Sequence, residues 1–395
     1  GSFNKGFEYE GIIKGSVATA GGTWSTGGAL SLSITYHGVA GDKSGAISAM
    51  GVRGSWPTGY FAVPGGINTD CNEEYNGSTW SEASDNNISR ALPGAAGTVN
   101  DALFFGGYTG TPQWYGASKG DTEEYNGTNF SEVNDMIIPR RTFQSAGLTG
   151  DAALAIGGYK DTDYNPSGNP AATANMNCAT EEWNGTNWSS GGQTPVSVRG
   201  GSGAGSVNSA VVFGTIDQRS QTYHYDGSSW SSGGSGHENR FNVGGGGTQN
   251  DAISFAGWAY PIPNAGNCTQ TYDGTVWAAS GDMITNPRQW LATQGNQGQA
   301  VNAFAVGGTG SPSNAVAMTC TEEYTGIAGG ELSVGLLTAD ILKGDASGFS
   351  GSLDFSGMVS SSAQMAADIS GSFATGMEFS TNSVISASVV TSQDN

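Results

Sequence analysis

The feature that most constrains this chain is a short unit that it repeats. Glu123 to Ser131 reads EEYNGTNFS, two strand-like stretches about an Asn-Gly pair. Altered copies run EEYNGSTW (Glu73 to Trp80), EEWNGTNW (Glu181 to Trp188), HYDGSSW (His224 to Trp230), QTYDGTVW (Gln270 to Trp277) and EEYTG (Glu322 to Gly326). An Asn-Gly or Asp-Gly pair between strand-like segments signals a hairpin, because both residues accept the positive φ of a type I′ turn.

A second element keeps step with the first. Asp101-Ala-Leu-Phe-Phe-Gly-Gly107 is a small apolar run ending in glycine, and it returns ending at Gly51, Gly158, Gly214, Gly257 and Gly308, six copies in all. The intervals between these marks are 56, 51, 56, 43 and 51 residues, the period of propeller blades. Each unit supplies about four strands, the content of one blade.

Arginine recurs ten or eleven residues after the aromatic of each preceding hairpin, at Arg90, Arg140, Arg199, Arg240 and Arg288, while the first unit lacks it. In a chain with only 14 basic residues this predicts an internal partner, a Glu or Gln of the tyrosine strand such as Glu73, Glu123 or Glu181. Asp101, Asp151 and Asp251 stand where the apolar strand begins and read as turn caps. Cys71, Cys178, Cys268 and Cys320 occupy equivalent places in different repeats. Such places lie beyond disulfide reach and lack CxxC clustering, so they read as small buried hydrophobes.

The ordered units resemble the kelch family of β-propellers, whose repeat runs arginine-bearing strand, apolar strand ending in Gly-Gly, tyrosine strand, tryptophan strand. The resemblance covers about residues 22 to 328, with Phe130 in place of a tryptophan and single glycines at Gly214 and Gly257. It implies an all-β fold, a six-bladed kelch-like propeller, with seven blades as the alternative count. The last unit stops after Tyr324 without a tryptophan strand, and Gly22-Thr23-Trp24-Ser25 stands unpartnered near the start. The N-terminal segment is therefore expected to complete the last blade and remove exposed edges.

Three segments follow: an N-terminal linker or strand module over 1–21, the propeller over 22–328, and a Ser/Gly/Ala-rich connector over 329–395. Gly371 to Phe379 matches Gly1 to Tyr9 as G-S-F-x-x-G-x-E-aromatic, which suggests one period or an excised piece of a longer, alternating protein. Both the linker composition and the EEYNGTNW-type units resemble structural proteins of marine bacteriophages.

The formal net charge of −20 disfavours nucleic acid as a partner. No run reaches the roughly 18 apolar residues of a spanning helix, so membrane insertion is not expected. The three histidines, His37, His224 and His237, are scattered and no catalytic motif stands out, so no cofactor, metal ligand or catalytic residue is assigned. Adjacent glutamates such as Glu73 and Glu74 point to opposite faces of a strand and cannot flank one glycosidic bond.

Strand alternation puts the Asn-Gly hairpins on one face and the connections after the Gly-Gly strands on the other. The latter vary in length and carry the unrepeated aromatics Trp56, Tyr60, Trp114, Tyr115, Tyr164, Trp258 and Tyr260, the expected ligand-binding residues. Rings beside Asn, Asp and Thr suit sugars. The reading that results is non-enzymatic: a structural or adhesive module of a phage virion fibre or appendage, extracellular or on the virion. Its expected partners are a host-surface glycan or protein and neighbouring fibre subunits, with assembly into a homo-oligomer left open. Alternatives are a secreted carbohydrate-active enzyme or oxidase on the same scaffold, or a purely architectural link.

Overall fold

The computed structural model describes residues 21–53, 67–109, 117–160, 177–234, 237–259, 266–285, 288–289, 291, 293–295, 300–310 and 317–326, and the strands Glu378–Ser380 and Val384–Ser386. The chain divides into two compact units, Ala18–Ala328 and a second drawn from Gly1–Val17 and Gly329–Asn395. In the second unit the two described strands pair antiparallel, with Phe379 opposite Ile385.

The first unit is a six-bladed β-propeller built of small antiparallel sheets, the count that the six apolar runs predict. Blade 1 orders Gly38–Asp42, Gly45–Ala49, Asn72–Tyr75 and Trp80–Ala83 from axis to rim. The same four roles, inner, apolar, tyrosine and outer strand, recur in blades 2 to 5, whose inner strands are Gly94–Thr98, Gln144–Thr149, Ser202–Ser206 and Gly244–Thr248. Two-residue and Asn-Gly or Asp-Gly hairpins close one end of blades 1 to 5, the hairpin face, and the connections from one strand pair to the next form the opposite loop face.

Convergence on the axis dictates the inner sequences, which are mostly Gly, Ala and Ser. A Cβ at Gly203 would lie 2.5 Å from the Ser145 carbonyl oxygen of the neighbouring inner strand, so no larger residue fits. Gly41, Gly97, Gly205 and Gly247 also hold φ of 105°, 95°, 98° and 103°, a region open to glycine without strain. The apolar strands behind them, such as Asp101–Phe105, supply the fully buried core. Toward the rim, each tyrosine strand faces its outer strand with an aromatic pair, for example Tyr75 opposite Trp80 and Tyr272 opposite Trp277, centroids 5.0 and 4.8 Å apart. Such pairs contribute about 0.5–1.5 kcal/mol each beyond the area they bury.

Blade 6 closes the ring as its truncated repeat predicts: Thr23–Thr26 runs beside Thr321–Thr325, Trp24 opposite Tyr324, with Phe304–Val306 on the axial side. Its innermost strand departs from the repeat. The stretch from Arg288 to Gly307 is three residues longer than that from Arg90 to Gly106. Thr293–Gly295 leaves the blade and pairs parallel with Gly38–Ala40 instead. Its Cα atoms approach within 8 Å of the inner strands of all five other blades, so the segment runs along the axis and fills the bore at that level.

Two local expectations are corrected. Of each Asn-Gly or Asp-Gly pair only the glycine has positive φ, for example 89° at Gly77, while the Asn76 side chain accepts the Ser78 and Thr79 amides and closes the loop. The turn is therefore not the type I′ form. The arginines, moreover, lie before the inner strands rather than in them, on short separate ladders: Arg240–Phe241 pairs with Trp258–Ala259 and Arg288–Gln289 with Thr309–Gly310.

Candidate functional site

The repeated charges are consumed by the scaffold. The Arg140 guanidinium, fully buried, bonds Glu181 Oε1 at 2.9 Å and the carbonyls of Ala155 and Ala179 at 3.1 and 2.8 Å, tying apolar strand to tyrosine strand. Glu181 also accepts the Ile137 and Ile138 amides, which staples the incoming linker. Arg90 with Glu123 and Arg288 with Glu322 repeat the clamp at 2.9 and 2.6 Å, and Arg240 uses Gln270 at 3.4 Å with Glu238 beside it at 3.1 Å. Burial pulls the Arg140 guanidinium down to about 10, opposed by Glu181. These arginines are structural partners of the tyrosine strand, as their spacing predicts.

Arg199 is the exception. The clamp position of blade 4 is filled by Val198, and the carboxylate position by Tyr223, so the two partners have changed together. Arg199 sits one residue further on and pairs with Asp217 at 3.1 Å in the loop after the apolar strand.

The second glutamate of each EE pair points the other way, as strand alternation requires. In three of the four pairs it receives a tyrosine hydroxyl from the next blade: Tyr125 donates to Glu74 at 2.5 Å, Tyr225 to Glu182, and Tyr75 to Glu323 across the ring closure. His224 takes the glutamate's place in blade 4 and meets the Tyr272 hydroxyl at 2.9 Å. Outer-strand indoles bolt the blades in the same sense, Trp188 Nε1 donating to Thr122 Oγ1 and Trp230 Nε1 to Thr180 Oγ1 at 3.1 and 2.9 Å. Where Phe130 removes an indole, the preceding blade has Asn72 in place of the threonine, and Asn72 is satisfied locally by Met50 N–H and Ser84 O.

The remaining polar candidates also resolve. Asp101 and Asp251 cap turns, though of the following blade, accepting the Gly150 and Ala300 amides at 3.1 and 3.2 Å. His37 and His237 are buried against Ser48 and Ser254, and burial lowers them to about 4 and about 3. The cysteines are free thiols, half-buried rather than the fully buried hydrophobes expected. Among the described residues no cluster of His, Cys, Asp and Glu could hold a metal ion.

On the loop face, Trp258 is half-buried on its short ladder, Phe241 opposite. Trp56, Tyr60, Trp114, Tyr115, Tyr164 and Tyr260 lie outside the described residues. The described part of this face shows what aromatic counting missed: arginines stacked on rings. Arg141 Cζ lies 5.7 Å from the Tyr108 ring centroid and 5.0 Å from that of Tyr159, and Arg219 Cζ lies 5.0 Å from that of Phe241. Beside Arg219 a hollow of about 390 Å³ is lined by Ile216, Asp217, Gln218, Arg219, Ser220 and Asn239. The one sequence signal for it was Val198, an apolar residue where the other arginines stand.

No protein-family model matches this chain, and no curated protein matches it.

Proposed function

We propose that this chain is a kelch-type propeller serving as a non-enzymatic adhesive module of an extracellular fibre or appendage, of the kind borne by phage virions. The loop face binds a host-surface glycan or protein, and the terminal segments join the propeller to neighbouring subunits. The observation that carries this reading is the division of labour between the two faces. The hairpin face repeats nearly unchanged from blade to blade, whereas the loop face holds the connections of unequal length and sequence on a ring whose charged motifs are spent on its own cohesion. A rigid scaffold displaying variable loops is the usual basis of recognition. With the axis filled by Thr293–Gly295, binding is assigned to the open loop surface rather than a central bore. The matching G-S-F-x-x-G-x-E-aromatic motifs near both ends support a place in a repeating array.

The test is a glycan-array screen of the propeller with Trp114→Ala and Trp258→Ala variants. Specific binding that either substitution weakens supports the adhesive reading. Absence of binding to any glycan, together with unchanged array assembly in both variants, moves the protein to a purely architectural role.

A further inference from the structure

We propose that Asn76, Asn126 and Asn184, at the tips of three hairpins, are self-modification sites that the fold primes for deamidation to aspartate. Each is exposed and is followed by glycine, the residue whose amide nitrogen is least hindered in attacking a side-chain amide. The turn itself demands that glycine, since Gly77, Gly127 and Gly185 hold φ of 89°, 84° and 86°. At all three sites the attacking nitrogen is therefore kept clear of a side chain of its own.

The same hairpins surround the electrophile with donors. Asn76 Oδ1 accepts the Ser78 amide at 3.0 Å, the Thr79 amide at 2.9 Å and the Ser78 hydroxyl at 2.9 Å. Asn126 Oδ1 accepts the Thr128 and Asn129 amides, and Asn184 Oδ1 those of Thr186 and Asn187, at 3.0 and 2.9 Å in both turns. An oxygen that reaches two and three residues ahead draws Cγ over the intervening glycine nitrogen. Main-chain amides fixed around an oxygen that becomes anionic are the arrangement of an oxyanion hole. Blades 4 and 5 show what this cradle prefers. Asp226 and Asp273 fill the equivalent positions, equally exposed, and take the same two amides at 2.8 to 2.9 Å. Bonds from the Ser229 amide first, then from Ser228, hold the Asp226 carboxyl down to about 2, so the donors favour charge on that oxygen.

The reaction consumes only water. The glycine nitrogen loses its proton and attacks Cγ, Oδ1 carries the developing charge, and the Cγ–Nδ2 bond breaks as ammonia leaves with a proton regained in exchange. At Asn76 the departing nitrogen already donates to Thr79 Oγ1 at 3.2 Å, a hydroxyl able to relay that proton. Water then adds to the Cγ carbonyl of the cyclic imide and breaks the new C–N bond. The glycine N–H is restored, and the acid formed ionises to a carboxylate. The product is the residue that blades 4 and 5 already seat at Asp226 and Asp273. Three conversions add three negative charges to the hairpin face of a chain whose formal net charge is −20, and they leave the loop face as it was.

The test follows the conversion of amide to acid by peptide mass mapping over time at neutral pH, on the full chain folded and on the same chain unfolded in guanidinium chloride. Each of the three sites is expected to convert at least as fast in the folded chain as in the unfolded one. Asn76 should lead, because a hydroxyl joins its two amides. Ser78→Ala should slow Asn76 about threefold or more, the share of one hydrogen bond to a developing anion. Unchanged rates at Asn126 and Asn184 in that variant report an intact fold. Slower conversion in the folded chain, or an Asn76 rate that Ser78→Ala does not alter, overturns the proposal, since the turn would then shield Cγ rather than activate it.

Discussion

A guanidinium out of water is stable only while its partners stay in place, so Arg140 and Glu181 are worth more as a pair than either is alone. Removing one partner of a buried pair typically costs about 3–5 kcal/mol, whereas replacing both with packed apolar groups can be neutral. Blade 4 has already made the second kind of change with Val198 and Tyr223. We expect Arg140→Met to destabilise the propeller by about 3–5 kcal/mol and Arg140→Val with Glu181→Tyr to recover most of the loss, read by urea unfolding. A double variant as unstable as the single one would sink the idea that blade 4 exchanged the pair as a unit. Backbone strain gives a second residue-level expectation. The first residue of each Gly-Gly turn holds positive φ, and at Ala256 it is 58° on a residue with a Cβ. Ala256→Gly should stabilise by about 1 kcal/mol, because left-handed backbone costs a non-glycine residue about that much. The reverse change, Gly106→Ala, should destabilise, since its Cβ would lie 2.6 Å from the Phe143 ring. At this scale the sequence was readable where residue types recur in step, as with Arg90 and Glu123. It misled at Arg199, whose distance from Trp188 imitates the clamp by one residue.

Hairpins and apolar strands were legible as elements because each carries a local signal, a turn glycine or a run of small apolar residues. The axial strand was not, because Thr293–Gly295 owes its place to the inner strands of five other blades and to extra chain length. The bolts between blades have one defective member. Trp183 stands where a tyrosine would reach back to Glu124; its indole N–H is buried without a partner, and Glu124 has none among the described residues. Burial, then Asp151 and Asp101, raise the Glu124 carboxyl above its usual range. We expect Trp183→Tyr to gain a bond to Glu124, visible as a coupling of about 1 kcal/mol in a double-mutant cycle with Glu124→Gln. Zero coupling would mean that the two positions do not meet. The N-terminal strand is the bolt for the whole ring: Trp24 Nε1 donates to Thr269 Oγ1 at 2.9 Å, and the Gly22 amide to the Tyr324 hydroxyl at 3.1 Å. Deleting residues 21–27 should expose the edge of Thr321–Thr325 and broaden or split the unfolding transition, followed by circular dichroism.

At the scale of the whole molecule, the two faces were legible from strand alternation, but the contacts made on the loop face were not. The loop connections follow no repeat, so counting aromatics named Trp258 and passed over the arginines that lie on the Tyr108, Tyr159 and Phe241 rings. Acid and base should both undo the ring, through groups that no loop controls. His37 and His237 are kept neutral by burial, which lowers them from 6.5 to about 4 and about 3. The unfolded chain binds a proton at each as pH falls through 6.5, and the folded chain does not. Their contribution is therefore complete above 6.5 and is lost as pH falls toward 4. Tyr75 and Tyr225 are pushed from 10.0 to about 12, by burial first and then by their bonds to Glu323 and Glu182. Above pH 10 the unfolded chain releases those protons while the fold retains them, so stability declines as pH rises from 10 to about 12. The acid limb can be isolated between about pH 6.5 and about pH 5, above the range in which most carboxylates titrate. There each histidine should add a slope approaching about 1.4 kcal/mol per pH unit to the unfolding free energy. His237→Gln should remove one of the two increments while leaving the alkaline limb intact. An unchanged acid slope in that variant would mean that the folded state binds a proton at His237 as readily as the unfolded chain does, and that burial beside Trp277, 5.0 Å away, does not hold the ring neutral.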